Sequence, residues 1–202
     1  MKLIVITSPT FFVEEDKIIT VLFEEGLDIL HLRKPETSAM YSERLLTLIP
    51  EKYHKRIVTH EHFYLKEEFK LMGIHLNARN PREPHDYAGH ISCSCRTIEE
   101  VAKKKHFYDY VFLKAMYEHD PHGGKLFNFT AEEIREAAKN GIIDTEVMAF
   151  GGITPENILE VKDFGFGGAV IMNDLWNKFD PCSDRNYKGI IEHFKHLKEM
   201  AD

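Results

Sequence analysis

No apolar run in the sequence approaches the ~20 residues that a membrane-spanning helix needs, which excludes a helical membrane protein. The leading stretch MKLIVITSPT is too short in its apolar part for a secretory signal and runs straight into a strand-like pattern. Positive charge is in deficit: 26 Lys and Arg face 33 Asp and Glu, a net charge of −7. That balance argues against nucleic acid and against an anionic membrane surface as partners. Cysteine is scarce. Cys93, Cys95 and Cys182 are too few for a disulfide framework, and the expected compartment is the reducing cytoplasm. Cys93 and Cys95 fall on one face of a strand-like stretch, and buried thiols account for them better than a metal site. Linkers, repeats and low-complexity segments are lacking too, so the 202 residues are read as one domain spanning 1–202.

What is present is an alternation of short apolar runs and amphipathic stretches. The clearest case spans residues 147–173. Residues 147–150, VMAF, read as a buried strand. Gly151-Gly152 makes a turn, and Thr154 and Pro155 open a helix as N-cap and first helical residue. That helix ends before Gly165, and residues 168–172 form a second buried strand, stopped by Asn173-Asp174. Backbone N–H groups near Gly152 and after Met172 are expected to converge on one anion, as late strands of a (β/α)8 barrel often arrange.

Earlier strands are expected at 3–7, 28–32, 56–59, 73–76, 90–93 and 110–113. Helices are expected at 14–25, at 39–48 with Ser38 as cap, at 63–70, from Thr97 with Glu100 as reciprocal capping partner, and at 130–139. The connection 77–89, with Pro81 and Pro84, looks degenerate, and 114–129 is a long loop. Residues 175–179 read as a turn and 186–199 as a final helix. About eight buried strands alternating with helices point to an α/β fold, a single-domain TIM (β/α)8 barrel. An open doubly wound sheet is the alternative, disfavoured by the number of units.

In a barrel, function collects in the loops at the C-terminal strand ends. There the sequence puts Arg33, Lys34, Arg79, Arg96, Lys114 and Lys125. Gathered at one end of an acidic protein, they make a local anion trap. His60 and His62 share a face if extended, but no third metal ligand is fixed, so chelation is not favoured. His119 and His122, in the long loop, are candidates for general acid or base; solvated surface histidines are the alternative.

Several stretches together carry a family resemblance. They are Asp28-Ile29-Leu30-His31-Leu32-Arg33, Gly73-Ile74-His75-Leu76, the run from Ser92 to Glu100, Asp109-Tyr110-Val111, the run from Phe150 to Asn157, and the run from Gly168 to Met172. In order and spacing the chain resembles the thiamine-phosphate synthase/TenI family over nearly its whole length. The resemblance implies a TIM barrel, a role in thiamin biosynthesis, and a phosphate site at Gly152, Met172 and Asn173. It also implies an active-site arginine at Arg33 and a polar contact to the ring from Ser94.

The family holds two activities. The synthase joins an aminopyrimidine pyrophosphate to a thiazole phosphate with magnesium; the TenI-like tautomerase aromatises a thiazole carboxylate phosphate by moving a proton and needs no metal. The synthase's Asn-Asp-Arg after the third strand reads His60-Glu61-His62 here, and its second magnesium aspartate corresponds to Asn80. Its Thr-x-Thr-Lys reads His119-Asp120-Pro121-His122, its serine near the phosphate is Asn173, and its Arg-x-Lys is shifted to Arg33-Lys34-Pro35. The tautomerase histidine falls on Ala115, so that His119, His122 or His60 would take over. The expectation is an enzyme that binds a thiazole phosphate, with tautomerase-like chemistry favoured. The alternatives are a synthase with Glu61 as magnesium ligand, and a non-catalytic ligand binder. His31, Arg33, Lys34, His60, Gly152, Met172 and Asn173 are the expected binding residues, and Ser94, His119 and His122 the catalytic ones. No cofactor is expected for the tautomerase, and magnesium for the synthase. The expected partners are the phosphorylated thiazole and, for the synthase, an aminopyrimidine pyrophosphate, without nucleic acid or membrane; a homo-oligomer stays open.

Overall fold

The apolar runs lie where parallel strands bury both faces. The computed structural model describes residues 1–117, 129–179 and 187–202. Its strands are β1 Lys2–Ile6, β2 Ile29–Leu32, β3 Ile57–Thr59, β4 Gly73–Leu76, β5 His90–Cys95, β6 Tyr110–Lys114, β7 Val147–Phe150 and β8 Gly168–Ile171. They pair in sequence order, all parallel, into one closed barrel. β1 closes it, Val5 pairing with Leu30 of β2 on one side and Ile171 of β8 on the other. This is the TIM barrel expected, and its helices are α1 Glu15–Glu24, α2 Ala39–Leu48, α3 Leu65–Glu68, α4 Ile98–Lys104, α5 Ala131–Lys139, α6 Ile158–Asp163, α7 Asn173–Trp176 and α8 Lys188–Ala201. Among the described residues, no helix is long and apolar enough to cross a membrane.

The period of two divides the core. Leu3, Val5, Leu30, Ile74, Val111, Ala149 and Ile171 face outward under the helices. Cys93 and Cys95 share that layer, buried and free; Cys182 lies outside the described residues. Ile4, Ile6, Ile29, Val58, Tyr110, Phe112, Met148 and Val170 form a second cluster, which fills the barrel interior.

Several local expectations need correction. The helix expected over 63–70 is only the single turn α3, because His62 at φ 52° and Lys70 at φ 53° pinch it at both ends. A 3-10 turn, Glu51–Arg56, precedes β3 and was not expected. Ser38 precedes α2 but makes no side-chain cap. Thr97 caps α4, accepting from Glu100 N–H at 3.2 Å, yet the Glu100 carboxylate accepts from Arg96 N–H instead of Thr97. Thr130 and Glu133 complete a full capping box on α5. Thr154 does not cap α6: Asn157 does the local work, its Oδ1 accepting from Thr154 N–H and its Nδ2 donating to Gly152 O, both at 2.9 Å. Where a turn was expected over 175–179, α7 forms earlier, tied to β1 by Trp176 Nε1, which donates to Ile6 O at 2.7 Å.

Candidate active site

Two short glycine-bearing segments shape one side of the barrel mouth. Gly151 (φ +111°) and Gly152 (φ +66°) let the loop after β7 lie against the loop after β6; a Cβ at Gly152 would stand 2.2 Å from Tyr117 O. Beyond them opens a cavity of about 650 Å³, lined by Gly151, Gly152, Thr154, Met172, Asn173 and Asn177 among others. Its acid, Asp174, is engaged by His193 Nε2 at 2.5 Å. Arg33, just past β2, reaches across so that one guanidinium nitrogen lies 4.0 Å from Met172 Sδ. Burial and the neighbouring Arg79 hold its pKa down, but a guanidinium stays charged. The structure therefore brings Arg33, Gly152, Met172 and Asn173 to one wall that suits an anion.

Below the mouth, buried polar side chains share the barrel interior with the apolar cluster, where an all-apolar filling is the norm. His31 of β2, His60 just past β3 and His75 of β4 project inward, at 0%, 3% and 0% exposure. His31 Nδ1 is 2.8 Å from His60 Nε2, and His31 Nε2 is 2.6 Å from the Tyr110 hydroxyl. His75 Nδ1 is 2.8 Å from Ser92 Oγ, and its Nε2 is 2.9 Å from Ser94 Oγ. Phe112 packs against both His31 and His75. Burial pushes the pKa of His31 and His60 well below the ordinary histidine value, with neighbouring histidines adding to it. Burial, then Lys114, lowers His75 to about 3. All three are neutral imidazoles at pH 7.

The third region is the wall made by the loops after β3 and β4. Glu61 Oε1 is 3.1 Å from the Arg79 guanidinium, and Oε2 accepts from Lys34 N–H at 3.0 Å. Asn80 Nδ2 donates to His60 O at 2.9 Å. A smaller cavity of about 330 Å³ lies alongside, lined by Asn77, Ser94, Arg96, Lys104, Tyr108 and Lys114 among others.

Not every expected residue joins. The Lys34 ammonium turns away from the mouth to Glu15, at 2.6 Å, with 1% exposure. His62 does not pair with His60 around a metal: it adopts a left-handed backbone and its Nε2 faces Thr37 O at 3.1 Å. His31 lies in the barrel interior and not at the strand mouth. His119, His122 and Lys125 lie outside the described residues. His75, Ser92 and Tyr110 carry the interior network and were assigned no role from sequence. The signal was available: each sits on an inward-facing position of a strand in place of an aliphatic residue.

A family model described as thiamine monophosphate synthase matches residues 3–175. A crystal structure named thiamine phosphate pyrophosphorylase, from Bacteroides thetaiotaomicron, is 73% identical, covers 100% of this chain and 98% of its own, and superposes with a TM-score of 0.93. A protein named thiamine-phosphate synthase from Methanobrevibacter smithii is 24% identical over 180 residues, 83% of this chain and 85% of the relative. The thiamine phosphate pyrophosphorylase of Pyrococcus furiosus, 16% identical with a TM-score of 0.72 over 99% of this chain and 95% of its own, shares the fold.

Proposed function

The chain belongs to the thiamine monophosphate synthase family, enzymes of thiamin biosynthesis, and from that premise we propose that this member binds a thiazole phosphate and moves a proton on it, as a TenI-like tautomerase does. The phosphate would lie against Gly152, Met172 and Asn173, with Arg33 on a second anionic group such as a carboxylate. Ser94 would contact the ring. The proton would pass through His119, His122 or His60, because Ala115 (φ 63°) stands at the family's histidine position.

One observation carries the choice. Glu61 is the carboxylate that would hold magnesium, and both its oxygens are engaged, by Arg79 and by the Lys34 backbone. Asn80, aligned with the second magnesium aspartate, offers only a neutral amide oxygen, its Nδ2 donating to His60 O. Magnesium favours octahedral oxygen ligation and is usually held through carboxylates and substrate phosphates; a lone carboxylate neutralised by arginine does not fit that demand. Cations at the mouth, with neutral imidazoles buried beneath it, suit an anionic substrate and a proton transfer, which typically contributes about 10²–10⁴-fold in rate.

The synthase is the second reading, favoured by the names of the relatives above, one of them 73% identical. Glu61→Gln separates the two. A tautomerase should keep its turnover of the thiazole carboxylate phosphate within a few fold. Formation of thiamine phosphate from both substrates, dependent on magnesium and abolished by Glu61→Gln, would overturn the tautomerase reading.

A further inference from the structure

The larger cavity has the wrong charge on its wall for a phosphate. Among the described residues that line it, Asp174 is the only charged one, and it directly follows Asn173. Like charges facing one another across a cavity repel, and low-dielectric walls strengthen the effect. A bare carboxylate at this place would therefore weaken any anion held by Gly152, Met172 and Asn173.

Asp174 is not bare. His193, in the second turn of α8, sets its Nε2 2.5 Å from Asp174 Oδ2, and the two side chains are only 15% and 16% exposed. His193 does not itself line the cavity, so the carboxylate stands between the cavity and the imidazole. Two residues beyond Asp174, Trp176 ties α7 to Ile6 O of β1, which fixes the carboxylate from the other side. Among the described residues, Asp174 is the only ion-pair partner of His193. Glu156, on the turn into α6, and Lys178, after α7, act from longer range and with opposite signs. On α8 itself, Glu192 faces Lys188 at 3.6 Å, and Lys195 faces Glu25 of α1 at 3.2 Å; His196 is the other ionisable group within one turn.

A histidine has two charge states near neutral pH. In both, Nε2–H can donate to the carboxylate, so the contact survives a change of charge. The sum does not: the pair is neutral with an imidazolium and carries one negative charge with an imidazole. We propose that His193 is a charge-compensating residue of the phosphate subsite: as imidazolium it cancels the Asp174 carboxylate, so that a phosphate ester in the larger cavity and a proton on His193 favour each other. His193 touches no ligand and acts through Asp174, as a positioning residue. This rests on the reading that the larger cavity takes the phosphate, and it holds for a tautomerase and a synthase alike.

The unmodified protein gives the first test. The full chain with labelled histidines is titrated by proton–nitrogen NMR, with and without saturating thiazole phosphate. The His193 midpoint should rise by about one pH unit on binding, the reciprocal of a tenfold affinity difference between its two charge states. An unchanged midpoint with the ester bound overturns the proposal and leaves the phosphate reading standing. Calorimetry on variants gives the second test, each compared with wild type at one pH so that the ester's own titration cancels. His193→Gln should bind thiazole phosphate about tenfold more weakly at pH 5.5 and equally at pH 9, and Asp174→Asn should bind it about tenfold more tightly at pH 9. Equal affinity of wild type and His193→Gln at pH 5.5 also overturns the proposal. No binding to the wild type at either pH removes the phosphate reading of the cavity, and the proposal with it.

Discussion

Lys34 and Glu15 meet with both side chains 1% exposed. The ammonium lies 2.6 and 2.7 Å from the two carboxylate oxygens and 3.0 Å from Thr10 O, under the Phe11 ring. Burial pushes the Glu15 carboxyl up to about 7 against the pull of Lys34, and pushes the Lys34 ammonium down. A pair like this adds little net stability when whole, but breaking it leaves a buried charge alone. Lys34→Met should therefore cost about 3–5 kcal/mol at pH 8 by urea unfolding, and Glu15→Leu in the same chain should restore most of it. At pH 5 the cost of the single variant should shrink, since Glu15 is then protonated in the fold. Equal losses at both pH values would refute the unpaired-charge account. Nothing local marks this pairing. From sequence Lys34 reads as a cation at a strand end, like Arg33, and its partner lies 19 residues back on another element. Arg33 and Lys34 take opposite directions because successive side chains leave an extended chain on opposite faces.

At the scale of the element, the turn Gly151-Gly152 governs the larger cavity. Gly152 combines a left-handed backbone with a close approach to Tyr117 O, so Gly152→Ala has to move the loop after β7 or the loop after β6. Thiazole phosphate affinity, measured by calorimetric titration, should fall at least about tenfold, the equivalent of about 1.4 kcal/mol. Gly165→Ala is the control. It has φ +86° but nothing within 4 Å of the added Cβ, so it should cost about 1–2 kcal/mol of stability through backbone strain alone and leave affinity unchanged. If the two variants bind alike, the turn does not shape the site. This glycine turn was legible because steric permission at positive φ is local. The helices were less so. The expected helix over 63–70 shrank to α3, and the Thr154 cap gave way to Asn157, because side-chain competition for the first turn is settled by how the loop docks.

For the whole molecule, the interior histidines tie folding to pH. In the unfolded chain a histidine titrates near 6.5, whereas burial depresses His31, His60 and His75 in the fold, the last to about 3. The sign follows from which state binds more protons: below pH 6.5 the unfolded chain takes them up and the fold does not. Stability is thus fully present above pH 6.5 and is lost as pH falls below it, with a slope approaching about 4 kcal/mol per pH unit for three groups. His90, also depressed by burial, adds in the same direction. Glu15 works oppositely. Its raised pKa makes the fold hold a proton that the unfolded chain releases, so it costs stability as pH rises from 4.5 to about 7. Urea unfolding between pH 7.5 and 5 should show a steep fall, flattened by His75→Gln. A pH-independent midpoint over that range would show that the histidines are hydrated and titrate normally.

The sequence by itself determined the repeating strand–helix unit, the barrel, and the set of residues that end the strands. Those features follow from local rules: periods of 2 and 3.6, and glycine where φ is positive. It also carried the family, through motifs that are short in sequence. Only the tertiary structure decided that His31, His75, Ser92 and Tyr110 meet inside the barrel, His31 and Tyr110 across 79 positions of chain. It alone turned Lys34 toward Glu15 and closed Arg79 onto Glu61. The reason is physical: which inward side chains share a layer depends on strand tilt and register around the closed sheet, and no residue's neighbours along the chain encode that.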